Sequence, residues 1–472
     1  MRHCDLCVIG SGPGGTKAAI QAAKLGKDVV LIEKMDVVGG VAINTGTIPS
    51  KALREAVLAV TAAQQHLPSA ADRLVTREGQ LSPLIEYCAR VIRAEVELTR
   101  LQLRSNGIEV LNGHGSFVSE NEVLCDGARG TEKIHAAKFV IATGTTPSKP
   151  PNVVFDGSTI ITSDEVLKMQ TLPRTMIIVG GGVIGTEYAS MLAALGVRIT
   201  LIEGRGRLLD FIDPEIGEAL QYHLRQAGVT LRCGEKVISI KSIEPPKDSR
   251  SGGGKLLAEA TLESGKTIIA DCLMYAVGRQ GATGTLNLGA AGLTADDRGR
   301  IKVNEHYQTA VPHIYAVGDV IGFPALASTS MEQGRAAALH MSGQPHESAP
   351  ELIPYGIYSI PEISMVGWTE DRLTKDAIPY ESGIAQYREI ARGQLLNDQI
   401  GMLKLLIHAD THNIMGVHII GTGATELIHI GQAVMAFKGT VEYFVNTVFN
   451  YPTLAECYKV AGYNGLNKLK HV

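Results

Sequence analysis

The chain has 472 residues, 45% of them hydrophobic, and a formal net charge of −4. At about 150 residues per domain this allows roughly three domains with real cores, and the lack of a basic excess disfavours nucleic acid as a partner. Seven scattered cysteines, an odd number, point to reduced thiols in a cytoplasmic protein. The first strand begins within a few residues of Met1, and apolar stretches such as Met176 to Ile184 are short and broken by glycine. Neither a signal peptide nor a membrane span is therefore expected.

The first predicted element is the strand Leu6 to Ile9. It runs into Gly10-x-Gly12-x-x-Gly15 and a helix, and Glu33 closes the next strand, Val29 to Ile32. In such a turn the first glycine allows the tight bend and the second lets a pyrophosphate approach the backbone. The third lets helix pack on strand, and the acid about 20 residues on holds a ribose hydroxyl. Cys4 and Cys7 form a C-x-x-C on the leading edge of this strand, where plain packing is the simpler reading. Residues 52 to 106 are rich in Ala, Leu, Glu, Arg and Gln, and Ile85 to Leu103 has helical spacing with Gly107 as a stop. Long helices inserted into the first domain are expected there. Phe139 to Gly144 reads as a buried strand ending in a Thr-Gly turn, and Pro147 to Pro151 as an extended crossover.

A second fingerprint follows: Gly180-x-Gly182-x-x-Gly185 after Met176 to Val179, with Glu203 closing Ile199 to Ile202. Each glycine and each acid lies 170 residues after its partner in the first copy. One chain is therefore expected to hold two dinucleotides, and two redox dinucleotides side by side imply hydride relay. Ser249 to Lys255 reads as a solvated hairpin tip. Tyr275 to Arg279 resembles a strand ending in glycine that returns the chain to the first domain. The segment Thr309 to Asp319 ends in an acid beside a glycine turn, suited to a ribityl chain. From about 350 onward, strands (Gly401 to Ile407, Ile414 to Ile420) alternate with helices (Ala424 to Phe437, Val441 to Val448), and Cys457 lies on a further helix. The expected class is α/β, with two Rossmann-like dinucleotide-binding domains and a C-terminal α+β dimerisation domain. The expected spans are 1–151 with 278–349 for the first, 152–277 for the second and 350–472 for the third.

The segment Gly39-Gly-Val-Ala-Ile-Asn-Thr-Gly-Thr-Ile-Pro-Ser-Lys51 resembles the class I flavoprotein disulfide reductases, and the likeness covers essentially the whole chain. In that family this stretch carries two cysteines whose disulfide passes electrons from flavin to substrate. Here Ala42 and Thr47 stand at those positions, and neither side chain can cycle between thiol and disulfide. The family's C-terminal His-Pro-x-x-x-Glu, which supplies a base, reads Tyr451-Pro-Thr-Leu-Ala-Glu456. A tyrosine with a pKa near 10 is a poor base at neutral pH. Gly46 to Arg54, Tyr355 to Glu362, Glu426 to Gln432 and Phe449 to Pro452 are similar to one branch, the soluble Si-specific pyridine nucleotide transhydrogenases. Threonine at the second position and tyrosine before the proline are typical of that branch, whereas Ala42 departs from it.

The resemblance implies FAD, one per chain, at the first fingerprint. Its residues there are Gly10, Gly12, Gly14, Gly15, Glu33, Lys34, Gly40, Thr47, Gly115, Ala142, Thr143, Gly144, Asp319 and Ala327. For NAD and NADP it implies Gly180, Gly182, Val183, Ile184, Gly185, Glu203, Arg205 and Gly278. Lys51 matches the family lysine beside the flavin N5 edge and Glu187 its ion-pair partner, so these two are the catalytic candidates; no metal is expected. Glu203 suits the free 2′-hydroxyl of NAD. Arg205 or Arg207 suits the 2′-phosphate of NADP, unless both are solvated loop arginines. The activity implied is reversible hydride transfer between NADPH and NAD+ by a ping-pong route through the flavin, in a homodimer or higher assembly. An NAD(P)H diaphorase or quinone reductase is the competing reading.

Overall fold

The computed structural model describes residues 1–66, 81–245, 255–345 and 352–469. Apolar strand runs buried on both faces make the centres of two sheets that helices cover, the arrangement such runs require. In the first sheet Arg2–Ile9 lies parallel between Val29–Glu33 and Gly130–Ile141, with Val8 opposite both Leu31 and Val140. Glu109–Asn112 extends one side, and Glu122–Gly127 and His114–Ser119 add antiparallel strands on the other. Ile314–Ala316 returns late in the chain to pair in parallel with Phe139 to Ile141. The second parallel sheet orders Thr230–Cys233, Arg198–Glu203, Thr175–Val179, Cys272–Tyr275 and Ile160–Ile161. A three-stranded antiparallel sheet packs on it through Ile240, Ala258 and Leu262.

The two crossings between these units are tied together. Thr145–Pro147 pairs antiparallel with Arg279–Gly281, and the Ser148 N–H donates to the Gly278 carbonyl at 3.2 Å. A third, fully antiparallel sheet runs Tyr355–Ile357, Ile363–Gly367, Ile414–Ile420, Met402–His408, Tyr380–Gln386, covered by the helices Ala424–Ala436 and Glu456–Leu469. It is locked to the second unit by Lys404, whose side chain is fully buried with its Nζ 2.9 Å from Asp213, 2.9 Å from Glu215 and 2.7 Å from Glu370. These three carboxylates form the one cluster of metal-ligand type among the described residues, and it encloses an ammonium group.

The glycines of both fingerprints divide into two kinds. A Cβ at Gly10 would lie 2.5 Å from the Ala142 carbonyl oxygen, and one at Gly15 would lie 1.9 Å from that of Gly10. Gly180 and Gly185 repeat the pattern at 2.7 and 1.8 Å. The packing of the chain itself demands these four. Gly12 has no neighbour nearer than 3.9 Å, and Gly182 none within 4 Å, although a helix starts directly after each. Nothing in the protein requires a glycine there.

Several elements differ in extent from the sequence expectation. The inserted helices are Thr47–His66 and Leu81–Ser105, packed side by side. Within Thr309 to Asp319 only Ile314–Ala316 is strand, because the Thr309 N–H turns onto the Ile314 carbonyl and the Ile314 N–H onto that of Val311. The helix expected at Val441 to Val448 spans only Glu442–Asn446. Most of the Ser249 to Lys255 tip lies outside the described residues. Among the described residues no helix is long and apolar enough to cross a membrane.

Candidate functional site

The first fingerprint opens onto a cavity of about 370 Å³, within the range of ordinary ligand pockets. Gly10, Gly12 and Gly14 line it from the first turn, with Glu33 and Lys34 at the end of the next strand. Gly40, Thr47 and Gly115 contribute from neighbouring elements, as do Ala142, Thr143 and Gly144 beyond the strand Gly130–Ile141. Asp319 and Ala327 complete the wall. Gly15 lies beneath the turn, Gly278 sits at the crossing between units, and Lys51 stands one helical turn past Thr47 without lining the cavity.

Glu33 is held by Ser11 and its own loop with an acceptor position to spare. One carboxylate oxygen accepts the Ser11 N–H at 2.9 Å and the Ser11 hydroxyl at 2.5 Å, and the other accepts only the Met35 N–H at 2.9 Å. A carboxylate offers about four acceptor positions, so one is left over. The Thr143 hydroxyl is buried on the cavity wall with no hydrogen-bond partner, a condition that buried polar groups rarely keep without a ligand or water. The spare acceptor, this orphaned hydroxyl and the open cradle at Gly12 all fit a dinucleotide. Deeper in, Thr145 accepts from Arg279 Nε at 2.7 Å and donates to Asp319 at 3.3 Å. Burial pushes the Asp319 carboxyl up, with the Arg279 charge opposing it. No motif marks Thr145 or Arg279 in the sequence; only the Tyr275 to Arg279 segment, a strand ending in glycine, hints at the arginine.

Lys51, on the helix Thr47–His66, meets Glu187, on the helix Val183–Ala194, with its Nζ 2.9 Å from both carboxylate oxygens. The pair bridges the first and second units. Glu187 is 3% exposed and also accepts the Tyr358 N–H at 2.9 Å. The Lys51 ammonium lies 4.7 Å from the Tyr358 ring centroid, within cation–π range. Tyr358 was not singled out by sequence, since it enters from the third sheet. Val183 and Ile184 form the first turn of the Glu187 helix, beside the open cradle at Gly182. Glu203 ends the neighbouring strand and is fully engaged by Gly181 and Arg205.

Ala42 and Thr47 both line the first cavity, and no cysteine does. All seven cysteines are free. Burial pushes the thiols of Cys4 and Cys88 up to about 11 and those of Cys272 and Cys457 up to about 12, so none is a thiolate near neutral pH. Cys7 is fully buried on the strand Arg2–Ile9, so Cys4 and Cys7 offer no open dithiol. Tyr451 is exposed in the single chain, and one Glu456 carboxylate oxygen is buried without a partner.

Residues 4–334 match the family model for pyridine nucleotide-disulphide oxidoreductases, and residues 353–461 match that family's dimerisation domain. The chain belongs to this family. It is 51% identical to a soluble pyridine nucleotide transhydrogenase from Mycobacterium tuberculosis, across 100% of this chain and 98% of that one. A protein of the same name from Photobacterium profundum is 44% identical, across 99% of this chain and 98% of its own. Among solved structures, a HOCl-induced flavoprotein disulfide reductase from Escherichia coli superposes with a TM-score of 0.84 at 27% identity, covering 96% of this chain and 98% of that one. LpdA from Mycobacterium tuberculosis shares the fold with a TM-score of 0.86 at 24% identity, covering 98% of this chain and 99% of that one.

Proposed function

We propose that the protein catalyses reversible hydride transfer between NADPH and NAD+, with FAD at the first fingerprint and either nicotinamide nucleotide at the second. The Lys51–Glu187 pair carries this reading, because it stands where two dinucleotide-binding units meet. Residues 1–151 with 278–349 would hold FAD, 152–277 the nicotinamide nucleotide, and 350–472 would pair two copies. Bound there, FAD supplies the store that lets hydride pass between two nicotinamides visiting one site in turn.

The chain's own contribution is positioning and electrostatics. The open turns at Gly12 and Gly182 admit the pyrophosphates against helix N-termini. Glu33 offers its spare acceptor to a ribose, and Asp319 and Thr145 offer polar partners along the ribityl chain. Glu187 orients the Lys51 ammonium, which would stabilise negative charge on the reduced ring. Ala42 and Thr47 offer no group that takes electrons onward, which leaves the second nicotinamide as acceptor. The 2′-phosphate is remote from the reacting ring, so the two nicotinamides differ little in hydride affinity and the direction follows their ratios.

Sequential anaerobic mixing tests this. NADPH alone should bleach the visible flavin band, and NAD+ added afterwards should restore it. Bleaching that NAD+ fails to reverse would defeat the proposal. Gly12→Leu should fold, because its backbone (φ −61°, ψ 178°) suits any residue and its surroundings are open, yet it should purify colourless. A variant that keeps one flavin per chain would show that the cavity is not the FAD site.

Thiol reagents should leave turnover unchanged, and dihydrolipoamide should not be oxidised. Arsenite-sensitive lipoamide turnover would reveal a dithiol in use. Phe437, Val448 and Tyr451 are 89%, 90% and 74% exposed on the single chain, apolar and aromatic side chains of the third unit that a second copy would cover. Sedimentation should accordingly give at least twice the chain mass, and a fully active monomer would contradict the pairing.

A further inference from the structure

A single guanidinium lies between the two carboxylates, Glu203 and Asp210, that face the adenosine ribose of a nicotinamide dinucleotide. Glu203 accepts the Gly181 N–H at 2.7 Å and the Arg205 N–H at 2.9 Å. Its remaining positions are taken by Arg205 Nε and Nη2, each at 3.0 Å. All four acceptor positions are thus filled, and no ribose hydroxyl can bind until the arginine side chain yields. The free nitrogen of the same guanidinium, Nη1, donates to Asp210. Glu203 is 8% exposed at its side chain, whereas Arg205 is 46% and Asp210 43% exposed, so the arginine is the group with room to move. Arg207 is tied elsewhere, to Asp371 of the third unit at 2.8 Å and to the Asp210 carbonyl at 3.0 Å.

The aim of Asp210 is built in. Leu209, immediately before it, is fully buried with φ at +47°, a left-handed conformation unfavourable for leucine. It is held there because its N–H donates to the carbonyl of Gly181 at 3.1 Å, within the second fingerprint. Backbone strain of this kind persists only where the surroundings over-determine it, and it gathers at functional sites.

We infer that Asp210 is a specificity-determining residue, the resting place to which Arg205 withdraws when Glu203 takes the ribose of NAD, and the competitor that a 2′-phosphate displaces from Arg205 when NADP binds. This rests on the transhydrogenase reading and deepens it. The two nicotinamides then draw on opposite halves of one Glu203–Arg205–Asp210 chain, and neither has to bind to a site built for the other. Burial pushes Glu203 up, but its bonds to Arg205 and the backbone outweigh that and hold it below the usual carboxylate range.

The test is flavin reduction by NADPH and by NADH, measured separately on holoenzyme carrying Asp210→Asn. Half-saturating NADPH should fall about tenfold, the worth of one charge-assisted hydrogen bond. Half-saturating NADH should rise, because Arg205 then has nowhere to go but Glu203. Shifts in the same direction, or none, would overturn the exchange. In an Arg205→Ala background, Asp210→Asn should leave NADPH unaffected; a persisting gain would mean plain repulsion by Asp210 and would also overturn it. Arg205→Ala alone should weaken NADPH selectively. If it weakens both nucleotides equally, it is the phosphate reading that fails, whatever the Asp210 variant does. Unchanged flavin content in each variant marks an intact fold.

Discussion

Lys51→Met is expected to slow flavin reduction by NADPH on the order of 10²–10³-fold, the usual loss when a preorganised charge at the reacting centre is removed. Flavin content should hold, because Lys51 does not line the cavity that Gly12, Glu33 and Asp319 shape. The substitution leaves Glu187 buried with the Tyr358 N–H as its remaining bond at 2.9 Å, so the nicotinamide would also meet an uncompensated carboxylate. Glu187→Gln should cost less, since the amide still accepts from Tyr358 and only the orientation of Lys51 is loosened. Stopped-flow reduction under saturating NADPH measures both. A Lys51→Met enzyme reduced at the wild-type rate would remove Lys51 from the chemistry.

Lys404→Ala should be among the most destabilising single changes in the molecule. Lys404 and Asp213 are both fully buried, and the ammonium is the common partner of three carboxylates. Breaking a buried pair by removing one partner costs about 3–5 kcal/mol. Here Asp213 also caps the helix Pro214–Gln226 through the Glu215 N–H at 3.2 Å and accepts the Glu370 N–H at 3.3 Å. The loss would fall on the seam between the second unit and the third. A large drop in the urea midpoint is the expected result, and an unchanged midpoint would contradict it. Burial pushes Asp213 up, but His418 and Lys404 outweigh this and hold it below its ordinary value of 3.8. Its share of the stability is present above that value and is lost as the pH falls through the lowered one.

The two nucleotide units were legible because their signal is local. A glycine that would collide with a carbonyl 2.5 Å away, at Gly10, or 1.9 Å away, at Gly15, cannot be replaced quietly, and the strand, turn and helix around it lie within one short stretch of chain. Lys51 and Glu187 were legible only through family resemblance, since 136 residues separate them. What escaped depends on tertiary placement. Tyr358 reaches the Lys51–Glu187 pair from the third sheet, and Thr145 meets Arg279 only because the two crossings pair antiparallel. Charge and position suit either Arg205 or Arg207 to a phosphate and do not separate the two. That the Arg205 guanidinium already fills Glu203 and reaches Asp210 follows from the left-handed turn at Leu209, which no residue type announces.

Product analysis with both acceptors present shows whether hydride passes from one nicotinamide to the other. Purified protein should be given NADPH together with equal NAD+ and a quinone, and NADH should be quantified against NADPH consumed. One NADH should form for each NADPH lost, with the quinone largely untouched. NADPH consumption that requires the quinone and yields no NADH would contradict such transfer, and would identify the protein as a diaphorase built on the same two folds.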